Sequence, residues 1–359
     1  DLVFVALGED DLNIQTAINL RTLFERQGRN CEKAPYIYAV IYDDVKLSNL
    51  HAGQMDDCLL AEDSKSNYHI FFVGTLTTQY SYARVEKFLQ QEKDPLPCEP
   101  AWVEGVICNG LFLDHPIENF PNLKYIQLTS AGYDRVPMEY IRRNDITIRN
   151  ARGVYSIPMA EYALGGVLEL YKQFSGFREN QRNHLWEKRR NLLELAGKTV
   201  CIVGCGSVGS ECAKRFSGFG CRVIGIATSR REQPFFDEVL EESDLDAVLA
   251  ESDVVLLTVP LTKQTRHLLN AQRIAAMKQS AVLVNISRGA VVDSQALEAA
   301  LKQNRLAGAV LDVFEEEPLS PDSPLWDLEN VIITPHNSFV GDGVRGRLAN
   351  RIFENLPNI

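Results

Sequence analysis

The stretch that most restricts the fold of this chain is TVCIVGCGSVGSECAKRFSGFGCRVIGIA, Thr199 to Ala227. An apolar, β-branched run leads into a glycine turn, a helical pattern follows, and a second apolar run closes the unit, a length that suits one βαβ element. Gly204, Gly206 and Gly209 spell GxGxxG. The first glycine permits the tight bend, the second lets backbone approach a pyrophosphate, and the third lets the helix lie close on the strand. The helix start adds unpaired N–H groups and the positive end of its dipole. Alone, GxGxxG can be an ordinary tight turn. Between a strand and a helix it predicts a dinucleotide site in a doubly wound parallel sheet.

An NAD-type site places an acid about 20 residues past the glycines, on the ribose 2′-hydroxyl. Here the second strand ends at Ala227, followed by Thr228, Ser229, Arg230 and Arg231. A carboxylate would repel a 2′-phosphate, whereas hydroxyls and guanidinium groups donate to one. The expectation is NADP, with NAD as the alternative, and Thr228, Ser229 and Arg230 as phosphate ligands. The bland alternative is a solvated loop with incidental arginines.

Apolar runs alternate with helical patterns almost throughout, which predicts α/β architecture. LVFVALG, YIYAVIY, YHIFFVG and WVEGVICNG read as strands in the first third. Helices are expected over LNIQTAINLRTLFERQG and SYARVEKFLQQEK, and KDPLPCEPAW reads as a linker. From Tyr155 a second series begins with a helix, MAEYALGGVLELYKQF. Six strands follow: TVCIVGC, RVIGIA, DVVLLTVP, AVLVNIS, AGAVLDVF and NVIITPH.

Composition excludes some classes. A net charge of -11 argues against a nucleic-acid or anionic-membrane partner. No run of about 18 apolar residues predicts a membrane-spanning helix, and the opening DLVFVALGEDD lacks the basic start of a secretory signal. The 8 cysteines show no CxxC or Cys/His metal spacing. Reduced, partly buried thiols in a cytoplasmic protein, with no metal, are expected.

Three later stretches set polar residues just after strands, where open α/β sheets hold ligands. VNISRGAVVD places Arg288, LDVFEEEP places Asp312 and Glu317, and IITPHNS places His336. An arginine clamps a carboxylate bidentately and polarises an adjacent carbonyl. A histidine can pass a proton to that carbonyl as hydride arrives, and a nearby carboxylate can keep it protonated and oriented. Singly, each has an ordinary reading: a surface arginine, a loop acid, a capped turn histidine.

Together, in this order, they resemble the D-2-hydroxyacid dehydrogenase family. The matching text includes LAGKTVCIVGCGSVG, VPLTKQTRHLLN, MKQSAVLVNISRGAVVDSQALEAAL, AGAVLDVFEEEP and SPLWDLENVIITPHNS, within about residues 102–350. The resemblance implies that Arg288 binds the substrate carboxylate and carbonyl. It makes His336 the general acid in reduction and the base in oxidation, and Glu317 its partner. Family formate dehydrogenases carry Gln in place of this Glu, which argues against that branch. By the same resemblance Ser207 and Val208 meet the pyrophosphate, Val259 and Ile286 line the cofactor groove, and Asp312 lies near the nicotinamide. LTSAGYDRV resembles the family's substrate loop, with backbone N–H groups of Ser130, Ala131 and Gly132 holding a carboxylate. Tyr133 and Tyr155 are expected to shape that pocket.

The implied fold is two Rossmann-like domains. A doubly wound NAD(P)-binding domain covers residues 153–336, and a flavodoxin-like substrate domain combines residues 1–152 with 337–359. The helix after NARGVYSIP commonly joins the family's dimer interface, so a homodimer acting on a small-molecule 2-oxo or 2-hydroxy acid is expected. The first 100 residues depart from the family, which usually uses about half as much chain there. DLVFVALGEDDLNIQTAINLRTLF is faintly similar to nucleotide-binding domains that regulate potassium transport, so a regulatory module is an alternative for this third. The sequence ends at FENLPNI, sooner than the family's closing helix usually does. The alternative function is a non-enzymatic, dinucleotide-sensing corepressor-like scaffold of the same fold.

Overall fold

The computed structural model describes residues 99–355, residues 92, 93, 95 and 96, and three upstream strands: Leu2–Val5 (β1), Tyr36–Val40 (β2) and Ile70–Val73 (β3). The helix expected over LNIQTAINLRTLFERQG, nearly all of that over SYARVEKFLQQEK, and Cys31, Cys58 and Cys98 lie outside the described residues. The chain divides into two units, residues 1–154 with 342–359, and residues 155–341.

The first unit adds β4 (Gly105–Cys108), β5 (Tyr125–Leu128), α1 (Met138–Arg143) and β6 (Thr147–Arg149). Its sheet is wholly parallel, with strand order β3-β2-β1-β4-β5-β6. Without β3, the order is the 2-1-3-4-5 winding of flavodoxin-like sheets. The long first third therefore supplies one further edge strand, and all four strands expected there are present. At the switch point beyond β4, the Glu92 carboxylate accepts from the amides of Asn109 and Gly110, each at 2.7 Å.

The second unit opens with α2 (Ser156–Lys172) and α3 (Phe174–Arg182). Its sheet holds β7 (Thr199–Val203), β8 (Arg222–Ala227), β9 (Glu238–Glu241), β10 (Val254–Leu257), β11 (Val282–Asn285), β12 (Gly308–Leu311) and β13 (Val331–Ile333). Between them run α4 (Ser207–Gly218), α5 (Leu245–Glu251), α6 (Ala271–Ala276) and α7 (Ser294–Lys302). All seven strands are parallel, in the order β13-β12-β11-β10-β7-β8-β9. Six were expected. β9, EVLE, escapes because its two flanking glutamates are exposed and only Val239 is buried, as suits an edge.

Alternation of side chains builds a core on each face of this sheet. Cys201, Val203, Ile224, Val255, Leu257, Leu283 and Leu311 pack against α5, α6 and α7. Val200, Ile202, Val223, Val254, Leu256, Val284 and Val310 pack against α2 and α4. The close approach of α2 to β12 needs Gly166, where a Cβ would stand 2.6 Å from Val310 Cγ1. The chain then returns to the first unit through α8 (Val344–Asn355). There Asn355 Nδ2 donates to the fully buried Gln127 Oε1 at 2.8 Å, and Arg347 Nε donates to Val154 O at 2.8 Å.

Candidate active site

In the second unit the strand order reverses between β7 and β10, the place where doubly wound sheets bind ligands. The glycine turn stands there. Gly204 has φ +105°, a left-handed conformation that side chains resist. A Cβ on Gly209 would collide with Gly204 O, so the helix can lie this close only with glycine. Thr258, just past β10, braces the turn by donating to Gly204 O at 2.6 Å. α4 starts with no side-chain cap, and the amides of Ser207, Val208 and Gly209 donate to no described residue. A Cβ on Gly206 would meet open space. The result is an uncapped helix terminus behind a bare backbone turn, a cradle that fits a pyrophosphate.

The loop after β8 points its arginines apart. Arg230 Nη2 donates to both oxygens of Asp244, at 2.9 and 2.8 Å. Arg231 Nε donates to Gln233 Oε1 at 3.0 Å. Gln233 Nε2 in turn donates to Cys205 O at 3.0 Å and Ser210 Oγ at 2.8 Å, tying the loop to the glycine turn. Gly225 leaves room for the Cys205 side chain. Burial pushes the Cys205 thiol up to about 11, so it stays a neutral, space-filling group.

His336 follows β13 in a left-handed conformation, φ +51°. Its Nδ1 lies 2.8 Å from Glu317 Oε2, and the other carboxylate oxygen accepts from Phe314 N at 3.0 Å. The pair fixes the ring's orientation and sets Nδ1 as the donor, leaving Nε2 without a hydrogen bond from the described residues. Phe339 stacks edge-on to the ring, centroids 6.3 Å apart, and Tyr155 stacks edge-on to Phe339 at 5.8 Å.

Asp312 and Ile286, expected along the cofactor groove, are both fully buried. The Asp312 carboxylate holds the histidine loop. It accepts from Thr334 Oγ1 at 2.5 Å, Asn337 N at 2.7 Å and Ser338 N at 3.0 Å, while its carbonyl accepts from His336 N at 2.8 Å. Tyr162 OH meets Thr334 Oγ1 at 2.6 Å, which joins α2 to the same network. Thr334 and Tyr162 escaped the sequence reading because no local pattern marks a bond spanning 172 residues. Val259 stays partly buried against the core beside Gly204.

Arg288 stands in the turn after β11, half-buried, with Nη1 donating to Ser287 O at 2.8 Å. Asn285 shapes that turn: its Nδ2 donates to Arg288 O at 3.1 Å and its Oδ1 accepts from Ser287 Oγ at 2.8 Å. The next residue, Gly289, lies directly against the Phe314–Glu315 backbone, where any Cβ would collide. The arginine turn and the Glu317 loop are thus packed together. In the first unit, Ala151 N donates to Ser130 O at 2.9 Å and Asn150 Nδ2 to Ala131 O at 2.6 Å. These bonds occupy the loop's carbonyls, whereas the N–H groups of Ser130, Ala131 and Gly132 donate to no described residue.

A dinucleotide cradle at the switch point and a histidine–carboxylate pair at the end of the same sheet define a nucleotide-dependent oxidoreductase class. The sequence pattern of the D-isomer specific 2-hydroxyacid dehydrogenase NAD binding domain matches residues 164–338. Glyoxylate reductase from Thermofilum pendens is 38% identical over 242 residues, covering 66% of this chain and 71% of the relative. A D-isomer specific 2-hydroxyacid dehydrogenase family protein from Aeromonas salmonicida superposes with TM-score 0.70 at 30% identity, covering 90% of this chain and 95% of that one. An NADPH-dependent glyoxylate/hydroxypyruvate reductase from Sinorhizobium meliloti superposes with TM-score 0.66 at 26% identity, covering 76% and 87%. The chain belongs to the D-isomer specific 2-hydroxyacid dehydrogenase family. It is a dehydrogenase of the 2-oxo acid/2-hydroxy acid class that uses a nicotinamide dinucleotide. Among the described residues no helix is long and apolar enough to cross a membrane.

Proposed function

We propose that the protein interconverts a small 2-oxo acid, glyoxylate among the candidates, and the corresponding D-2-hydroxy acid with NADP(H). The observation that carries this reading is the 2.8 Å contact between His336 Nδ1 and Glu317 Oε2. In reduction His336 gives the proton of Nε2 to the substrate oxygen, and in oxidation it takes that proton back. Glu317 holds the ring and balances the charge of the imidazolium. Arg288 receives the substrate carboxylate and polarises the carbonyl, with the open amides of Ser130, Ala131 and Gly132 as further carboxylate ligands. The amides of Ser207 and Val208, at the turn of Gly204, Gly206 and Gly209, hold the pyrophosphate, with Val259 beside it. Thr228, Ser229 and Arg230 receive a 2′-phosphate. When bound, the nicotinamide donates or accepts the hydride at substrate C2.

The domain roles follow: residues 155–341 bind cofactor and the other unit binds substrate. A homodimer in the cytoplasm completes the reading. Trp186, 97% exposed, and the exposed Leu185 just past α3, with the exposed Phe174 at the start of that helix, supply apolar surface suited to a second copy. NADPH oxidation with glyoxylate, hydroxypyruvate and larger 2-oxo acids tests the activity. His336→Ala is expected to lower kcat by about 10²–10⁴-fold. No turnover with any acid, or turnover untouched by the substitution, overturns the assignment.

A further inference from the structure

The loop after β8 presents Arg230 already paired. Its side chain is 61% exposed, and Nη2 alone engages both oxygens of Asp244, so Nη1 and Nε keep their donors for another acceptor. Asp244 is the more fixed partner: its Oδ2 also accepts from Glu241 N at 3.1 Å, part of a capping box in the turn before α5. Such an exposed pair adds little to stability. It does change what the arginine offers an anion, because the guanidinium charge is balanced by a carboxylate one hydrogen bond away.

We propose that Asp244 is a specificity-determining residue that weakens the preference for 2′-phosphorylated dinucleotides by neutralising Arg230. This rests on the reading that Arg230 receives the 2′-phosphate. A phosphate monoester carries about -1.5 to -2 charge near neutral pH, so a fixed carboxylate behind its ligand repels it more than it repels a ribose hydroxyl. Asp244 also holds Arg230 in place, which by itself favours binding. Asp244→Asn separates the two effects. With its oxygen in the place of Oδ2, the amide still accepts from Arg230 Nη2 and Glu241 N, so one of the two bonds to Arg230 survives while the charge goes. Lifting the repulsion across solvent-exposed groups corresponds to roughly three- to tenfold in affinity.

The test measures binding, with adenosine 2′,5′-bisphosphate and 5′-AMP titrated calorimetrically into the full chain. Asp244→Asn is expected to tighten the bisphosphate roughly three- to tenfold, leave AMP within about twofold, and lose most of the gain in high salt. Arg230→Ala is expected to abolish the preference for the bisphosphate. Asp246→Asn removes the same charge from the Arg273 pair two residues away, and should leave the ratio unchanged. If Arg230→Ala leaves the preference intact, the phosphate-ligand reading of Arg230 falls, and this proposal with it. If Arg230→Ala abolishes it but Asp244→Asn leaves the ratio unchanged or lower, the Asp244 proposal alone is overturned. An equal rise from Asp246→Asn also overturns it, because any lost negative charge would then suffice.

Discussion

At the scale of single residues, the His336 side chain is placed by a backbone that residues other than glycine usually avoid. A left-handed conformation costs about 1–2 kcal/mol outside glycine, and it persists here because Asp312 accepts from three consecutive amides, those of residues 336–338. The motif TPHNS is legible in the sequence and names the histidine. What holds it is not, since Asp312, Thr334 and Tyr162 meet only once α2, β12 and β13 are packed. The same holds for Asp244 opposite Arg230, where residues fourteen apart, with β9 between them, meet.

A second residue-scale feature responds to pH. Glu315 is partly buried, which raises its pKa, but bonds from Ser294 Oγ, Ser294 N and His267 outweigh that and hold it below the usual value. A depressed folded-state pKa stabilises the protein above the ordinary glutamate range, and the contribution is lost as pH falls through the lowered value. Glu315→Gln is therefore expected to lower the urea midpoint near pH 7, and the gap to the unaltered protein should close in acid. A gap that stays constant with pH would show that charge plays no part. Because the carboxylate is 28% exposed, the effect near neutrality is about 1 kcal/mol or less.

At the scale of elements, the strands of the second sheet were readable because β10, β11 and β12 are buried along their whole length and so carry near-continuous apolar runs. β9, and β6 in the first sheet, were not, being short edge strands with exposed polar ends. The contact between elements that matters most for the site is glycine on backbone: Gly289 against Phe314 and Glu315. Gly289→Ala forces the arginine turn and the Glu317 loop apart, because neither neighbour is a movable side-chain tip. The expected cost is about 1–3 kcal/mol, read as a lower melting temperature, together with a fall in kcat/KM as Arg288 shifts. Unchanged kinetics would mean that the two loops act independently.

At the scale of the whole molecule, each unit closes its own parallel sheet by the same winding rule, although the sequence shows no repeat. The rule needs only apolar strands at the right spacing, and many sequences satisfy that. The alternation of strand and helix therefore announced both sheets, β3 included, while the place of β3 at the edge of its sheet needed the structure. The two faces of the seven-stranded sheet are buried unequally from centre to edge, which predicts graded hydrogen exchange. Amides of β7, β10 and β11 should exchange only through global opening, and those of β9 and β13 faster, through local opening. Mass-resolved exchange measures this, and uniform rates across the sheet would contradict it.

The first unit is written in two pieces, residues 1–154 and 342–359, with the whole second unit between them. During synthesis the second unit can close its sheet from one uninterrupted stretch of chain as soon as Gly341 has emerged from the ribosome. The first must wait for α8, whose Asn355 adds to the bonds that Gln127 already makes with Tyr125 and Leu128. A proteolytic cut near Val344 would thus spare the second unit's sheet and injure that of the first, whose last strand ends at Arg149, far back along the chain.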